Sequence, residues 1–553
     1  MDLGPLAAPL SLARRVKLGK LGSLPDVPFN VKTLADAGVL RPVRPDKLAR
    51  AVRELARWGA SPAAGIAAGA ITHGDDEMLV DEAGSLSFAD VHRRSNALAD
   101  SLAREGIKEG DGVAIMCRNH RGFIDATLAV SKLGANGLYM NTAFSGPQLV
   151  GVVERERPTA LIYDGEFAEL LTDAGQKIRR FVAWSEDGET IGDDTVLDDL
   201  IEAGDDGDRQ APGESSRFII LTSGTTGTPK GAQRTQPDTL SPLAAMFSKI
   251  PLHAEERTMI AAPLFHSWGF AHFMLGLALN STYVLQRRFD PERTLEATAS
   301  SGATALVVVP VMMQRILQLP RETLDEYELP DLRVTAASGS ALPGPLATKW
   351  MDAFGDNLYN LYGSTEVAWA TIATPEDLRA APGTAGQPPR GTHLLIVDQH
   401  GDEVPRGQTG RIFVGNEMAF EGYTGGGGKD VIDGLLSSGD VGHLDEEGRL
   451  FIDGRDDEMI VSGGENVFPR EVEDLLAGHD SVREVAVIGV DDEEFGQRLK
   501  AFLVLNDEAD LDEDEVKAYV KSNLARFKVP REIEFLDSLP RNATGKVLKR
   551  ELA

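Results

Sequence analysis

The sequence predicts an α/β protein in two unequal parts: a large domain of packed parallel α/β subdomains, then a smaller α+β domain. Three observations carry this expectation. At 553 residues the chain is too long for one compact core and divides into at least two domains. Over residues 72–455, β-type apolar runs alternate with helical periodicity, the pattern of strands joined by crossover helices. Beyond residue 455 the pattern tightens. Short strands at 485–488 and 501–504 alternate with helices over residues 456–553, a stretch of about one small domain. The expected boundaries are an N-terminal appendage over 1–70, the large domain over 71–456 and the small domain over 457–553.

The elements follow in chain order. Residues 1–60 carry 11 Lys/Arg against 5 Asp/Glu, a net +6 by count. Within 10–24, Leu12, Val16, Leu18 and Leu21 are interleaved with Arg14, Arg15, Lys17 and Lys20. That pattern fits a peripheral contact with an anionic membrane, although a helix packed on its own domain is the commoner outcome. Residues 59–70 are rich in Gly, Ala, Ser and Pro and read as a linker. Ser87 opens a helix whose Val91, Leu98 and Leu102 share one face, with Asp90 placed to complete the cap. Gly-Asp-Gly at 110–112 turns into a buried strand, and the apolar run 306–309 is a second one, ended by Pro310. The glycine run 425–428 reads as a surface loop without chemistry. No fixed-period repeat is present.

Composition narrows the classes. Hydrophobic residues make up 42% and charged residues 26%, the balance of a globular protein, and no apolar run reaches the length of a membrane span. The N-terminus lacks the ordered regions of a signal peptide. A single cysteine, Cys117, sits in an apolar run as a packed thiol, with no internal disulfide, and fits a reducing cytoplasm. The net charge of −30 argues against nucleic acid, whose phosphates require a basic footprint. It also gives anionic substrates an unfavourable long-range field, so local cations must hold them.

The most informative stretch is 222–231, Thr-Ser-Gly-Thr-Thr-Gly-Thr-Pro-Lys-Gly, directly after the apolar run 218–221. Its glycines let backbone N–H groups approach anionic oxygens, its hydroxyls donate further bonds, and Lys230 adds a point charge. That is the composition of a loop that holds polyphosphate, although taken alone such a segment is more often a surface turn; it is not a Walker A loop, which needs Gly-Lys-Ser/Thr leading into a helix. Here Pro229 precedes the lysine and disfavours helical backbone at Thr228.

This stretch resembles the Ser-Gly-Thr-Thr-Gly-x-Pro-Lys-Gly signature of the adenylate-forming superfamily, which includes acyl-CoA synthetases, aryl-CoA ligases, luciferases and adenylation domains. Six further segments resemble that superfamily in its order. They are 263–269 with His266, 362–366 (Tyr-Gly-Ser-Thr-Glu), 410–415 (Gly-Arg-Ile-Phe-Val-Gly), 438–440 (Ser-Gly-Asp), 454–466 with its Ser-Gly-Gly, and 541–546 with Lys546. Any one of them has a bland reading as a turn, a surface carboxylate or a core histidine. Seven in order over 222–546 exclude coincidence.

The resemblance implies roles. Thr222, Ser223, Gly224, Thr225, Thr226, Gly227 and Lys230 would hold the ATP β- and γ-phosphates. Glu366 would hold Mg²⁺ through oxygen, as a hard cation prefers. Thr365, within the Gly363-Ser364-Thr365 turn, would donate to the α-phosphate. Adenine would lie between Tyr362 and the backbone of Gly339, Ser340 and Ala341. Asp440 would accept from the ribose hydroxyls, with Arg455 adding a contact, and Lys546 would stabilise the adenylation transition state. The small domain, mobile about Asp457, would then withdraw Lys546 and present Ser462, Gly463 and Gly464 to a pantetheine arm. His266 would shape the acyl–thiol junction, and Trp268, Phe270 and Met312 are candidates for the acyl pocket.

Among adenylate formers, no carrier domain follows Lys546 in this sequence, which favours free coenzyme A as acceptor. The His266 segment and the N-terminal appendage look most like bacterial medium- to long-chain fatty-acid CoA ligases. The expected activity is therefore acyl-AMP formation from ATP and a fatty acid, then transfer to CoA. The alternatives are an aryl- or cinnamate-type CoA ligase, a fatty-acyl-AMP ligase serving a carrier protein, and a silent nucleotide-binding scaffold. Expected partners are the acid, ATP, Mg²⁺ and CoA. The expected location is the cytoplasm, at the inner membrane face if the basic segment binds lipid; a homodimer is compatible with the sequence.

Overall fold

The computed structural model describes residues 26–553 except 175–177, 187–190, 223–229, 235–238, 419, 425, 427, 463–464, 493–495, 508, 543–544 and 553. Two eight-stranded sheets organise the large part. The first runs Thr371–Ala373, Leu358–Tyr362, Val334–Ala337, Ala305–Val308, Arg257–Ile260, Thr282–Leu285, Glu77–Asp81 and Gly84–Ser87. Its six inner strands are parallel, and only the edge pairs are antiparallel. Helices cover such sheets on both faces, which is why 305–308 and 334–337 are buried along their whole length.

The second sheet runs Phe420–Tyr423, Lys230–Arg234, Phe218–Thr222, Asn136–Tyr139, Gly112–Met116, Ala160–Asp164, Arg179–Trp184 and Thr195–Val196. Phe218–Thr222 and Lys230–Arg234 pair antiparallel, Thr222 opposite Lys230. The lysine therefore opens a strand and not a helix, in keeping with a loop of other than Walker type. A five-stranded antiparallel sheet follows, in which Leu435–Leu444 and Leu450–Arg455 set Asp440 opposite Arg455. In the small part, Gly496–Leu505 pairs with Val482–Asp492, Ile460–Ser462 and Glu532–Phe535. The helices Pro469–Ala477 and Glu513–Asn523 close its separate apolar core around Val472, Leu476, Leu503 and Val516.

Local expectations and structure agree at several points. Ser87 and Asp90 form a reciprocal capping box on the helix Phe88–Arg104. Pro310 ends the strand and occupies the first position of the helix Pro310–Leu317, where its missing N–H costs nothing. Cys117 is fully buried, and burial raises its thiol well above the usual range.

Two readings are corrected. The 59–70 linker is mostly the helix Pro62–His73: Ser61 accepts from Ala64 N, Pro62 starts the first turn, and alanine has the highest helix propensity of any residue. Residues 26–58 likewise join the body of the large part. Their helices Val27–Asp36 and Pro45–Trp58 bury Leu34 and Trp58, and Asn30 donates to Ser241 Oγ at 3.0 Å. Among the described residues no helix is long and apolar enough to cross a membrane.

Candidate active site

Ligands of parallel sheets collect beyond the carboxyl ends of the strands. Here the segment 338–341 leaves the strand Val334–Ala337, and 363–366 leaves Leu358–Tyr362, both opening onto one cavity of about 1960 Å³. Gly339, Ser340, Ala341, Tyr362, Gly363 and Ser364 line it, as do Thr365, Glu366, Asp440, Arg455 and Lys546. Residues separated by more than 200 positions thus share one space. The turn after Tyr362 needs its glycine, because a Cβ on Gly363 would stand 2.2 Å from the Ala368 carbonyl oxygen.

The polar groups are tied together. Tyr362 donates its hydroxyl to Asp440 Oδ2 at 2.6 Å, and Arg455 lies 3.4 Å from Asp440 Oδ1. Burial raises the Asp440 carboxyl above its usual range, while Tyr362, Arg455 and Lys546 act in the opposite direction. Arg455 also reaches Asp457 Oδ1 at 3.0 Å, so one guanidinium links the carboxylate on the cavity wall to the expected hinge. For Glu366, burial is the largest influence and acts upward. Hydrogen bonds from Tyr423 (2.6 Å) and Ser364 (2.8 Å), with the charge of Lys429, outweigh it and hold the carboxyl below its usual range. An ionised carboxylate on the cavity wall suits a hard divalent cation.

Lys546 arrives on the small part. Its backbone N–H donates to Asn542 Oδ1 at 2.9 Å, and its charge acts on Asp440 and Asp457. The turn that delivers it presses on the large part: a Cβ on Gly545, whose φ is +79°, would meet Val311 Cγ1 at 2.1 Å. Gln314 Nε2 donates to the Arg483 carbonyl at 2.5 Å, and Lys549 bridges Glu458 (3.1 Å) and Glu473 (2.9 Å).

The other half of the cavity is apolar. His266 occupies the N-cap position of the helix Ser267–Leu279, half-buried on the cavity wall, and desolvation lowers its pKa to about 4. Trp268 and Phe270 line the wall, Trp268 donating Nε1 to the Ala336 carbonyl at 3.3 Å. Met312 does not. It is buried in the core, and Val311 and Gln314 of the same helix face the cavity, because neighbouring helical residues point about 100° apart.

Several expected residues lie outside the description. Ser223, Gly224, Thr225, Thr226 and Gly227, with Gly463 and Gly464, are not among the described residues, and Thr222, Lys230 and Ser462 are described by backbone alone. Other contributors escaped the sequence reading. The glycine run ends at Gly428 and Lys429 on the cavity wall, against the expectation of a loop without chemistry. Tyr423 holds Glu366 from 57 positions away, and no motif announces it. The buried trio Cys117, His120 and Asp164 is satisfied internally. His120 lies 2.7 Å from Asp164 and accepts from Gly122 N at 3.0 Å.

Comparison with known proteins agrees with this architecture. The AMP-binding enzyme family profile matches residues 67–424, and the profile of the AMP-binding enzyme C-terminal domain matches 471–546. A feruloyl-CoA synthase of Amycolatopsis sp is 32% identical over 474 residues, covering 85% of this chain and 93% of the relative. A long-chain-fatty-acid–CoA ligase of Mycobacterium tuberculosis is 29% identical over 476 residues, covering 84% and 92%. A solved anthranilate CoA ligase in complex with anthranoyl-AMP superimposes with a TM-score of 0.79 at 25% identity, covering 89% of this chain and 96% of that one.

Proposed function

The chain belongs to the AMP-binding enzyme family, and on that premise we propose that it is an AMP-forming acid–CoA ligase whose acid is a fatty acid. One observation carries the reading. A polar half holding Asp440, Arg455, Thr365, Glu366 and Lys546 runs without interruption into an apolar half behind His266.

The polar half suits adenylation, in which a carboxylate oxygen attacks the ATP α-phosphorus and pyrophosphate leaves. Two anions must meet, so the task is positioning and charge neutralisation. Asp440 accepts from the ribose hydroxyls, oriented by Tyr362 and Arg455. The Tyr362 ring and the 339–341 backbone flank adenine. Thr365 and Lys546 donate to the α-phosphate and acid oxygens, where charge builds in the transition state. The loop 222–230 holds the departing pyrophosphate. Glu366 is the group that would hold Mg²⁺, which supplies further neutralisation of the phosphates when bound.

In the second step the CoA thiol attacks the acyl carbonyl and AMP leaves. The small domain, 457–553 in this proposal, turns about Asp457, withdrawing Lys546 and bringing in the 462–464 loop. The Arg455–Asp457 pair couples that turn to the nucleotide pocket.

A second reading has specific support. Relatives named for feruloyl and anthranilate substrates favour an aryl acid. An assay with ATP, Mg²⁺ and a panel of carboxylic acids, with and without CoA, separates the two. Acyl-CoA from octanoate through stearate supports the fatty-acid reading, and turnover confined to aromatic acids supports the aryl one. Acyl-AMP that accumulates despite CoA would replace both with an adenylate-only ligase. No AMP from any acid would overturn the ligase proposal. A peripheral contact of the basic N-terminal segment with anionic lipid belongs to the same proposal, and is checked by liposome partitioning of a chain lacking residues 1–25.

A further inference from the structure

We propose that the helices Pro45–Trp58 and Pro62–His73 form the far wall of the acid channel, and that Leu48, Val52 and Leu55 select a long, methyl-ended acyl tail. The proposal rests on the acid–CoA ligase reading above and names what that site accepts.

Continuity is the first support. The cavity that holds Asp440 and Lys546 passes His266 and Trp268 and extends to Ala68, Gly65, Val52 and Leu55. The family profile begins only at residue 67, so most of this far wall is contributed by a stretch before the shared domain.

The facing surfaces supply the second support. The helix Ser267–Leu279 is apolar apart from Ser267 and the buried His272. Phe273, Leu277 and Leu279 are buried, whereas Ala271, Met274, Leu275 and Ala278, spaced one helical face apart, remain half-buried and line the cavity. A helix without a polar face is covered on every side, by protein or by an apolar ligand. The helix Pro62–His73 packs directly on it at Gly65, where a Cβ would stand 3.0 Å from Leu277 Cβ, and Ala68 and Thr72 of the same helix reach the cavity. Farther out, Leu48, Val52 and Leu55 form the apolar face of the strongly amphipathic helix Pro45–Trp58, and Leu55 keeps 46% of its surface exposed. Leu40 (43%) and Leu240 (37%) continue the same apolar wall.

Two cations near these helices are paired within the protein. Arg41 on this wall is bound to Glu255 at 2.6 Å and to His73 at 2.5 Å, and Lys47 beside it donates to the Thr72 carbonyl at 2.8 Å. Those two cations are already engaged, and it is the apolar surface of Leu48, Val52 and Leu55 that favours a methyl terminus over a second carboxylate. Each methylene that leaves water along such a wall adds roughly fourfold in affinity.

The test uses the full chain in buffer free of detergent and vesicles. It measures kcat/KM for straight-chain acids from butanoate to stearate, beside calorimetric binding of palmitate without ATP. In the unaltered protein kcat/KM should climb with chain length past octanoate. Val52→Asp, which places a charge on the wall, and Leu55→Trp, which fills it, should each lower the palmitate-to-hexanoate ratio by roughly tenfold or more. Palmitate binding should weaken in parallel. Residual hexanoate turnover and an unchanged melting temperature show that the variants are folded.

Equal ratios in the parent and both variants would overturn the far wall. A parent that turns over only short or aromatic acids would do the same while leaving the ligase reading intact. A parent that forms no acyl-CoA from any acid, yet binds palmitate and loses that binding in Val52→Asp, would overturn the ligase reading and keep the wall.

Discussion

The two halves of the cavity are built on opposite principles. In the proposed nucleotide half each group has particular partners: Asp440 takes Tyr362 and Arg455, Glu366 takes Tyr423 and Ser364, and Lys546 is delivered by one tight turn. In the acyl half no single residue decides. Trp268, Phe270, Met274, Leu275, Val52 and Leu55 contribute apolar surface whose sum sets what fits. Directional chemistry demands particular groups at fixed distances, whereas apolar recognition demands only shape and area. Substitutions should therefore act discretely in one half and by degrees in the other.

The sharpest way to break that contrast is Glu366→Gln. It keeps the shape but removes the charge and turns one of the two oxygens that accept from Tyr423 and Ser364 into a donor, and should lower acid-dependent pyrophosphate exchange by about 10²-fold or more. A change of only a few-fold would show that the nucleotide half is as tolerant as the acyl half. Next in size is Asp457→Pro, which fixes the backbone at the proposed hinge and removes the partner of Arg455. Thioester formation should fall by about tenfold or more while exchange persists, measured on the two half-reactions separately. Loss of exchange would instead make Asp457 part of the nucleotide half.

Tyr423→Phe is subtler. Its hydroxyl stabilises the ionised form of Glu366, so its loss raises that pKa, and the carboxylate protonates at a higher pH. The acid limb of kcat/KM for ATP should move to higher pH, with an unmoved profile removing Tyr423 from the site. The smallest effect belongs to the acyl half. Ser61→Ala deletes the cap of the helix Pro62–His73 and should cost about 1 kcal/mol of stability by thermal or denaturant unfolding, with exchange nearly unaffected.

What the sequence disclosed follows the same division. Tyr362, Asp440, Arg455 and Lys546 stand in short segments whose residue types suit the phosphate, ribose and carboxylate of the proposed reaction, so they were legible before any fold was known. Ser87 and Asp90 were legible because a cap is a local event. Lys429 was hidden behind a glycine run, and Tyr423 met Glu366 only through the pairing of Phe420–Tyr423 with Lys230–Arg234 at a sheet edge. Met312 and Val311 are adjacent and both apolar, and only the helix orientation separates core from cavity. The small residues 59–70 suggested a linker because composition alone does not distinguish an alanine helix packed on a neighbour from a flexible segment.

In the proposed mechanism one lysine on the small domain, Lys546, serves the first half-reaction and is absent from the second. The measurement that tests it most directly compares Lys546→Ala with the parent in two assays: acid-dependent ATP–pyrophosphate exchange without CoA, and thioester formation from supplied acyl-AMP and CoA. Exchange should be lost while thioester formation from acyl-AMP is retained. Equal loss of both would contradict it.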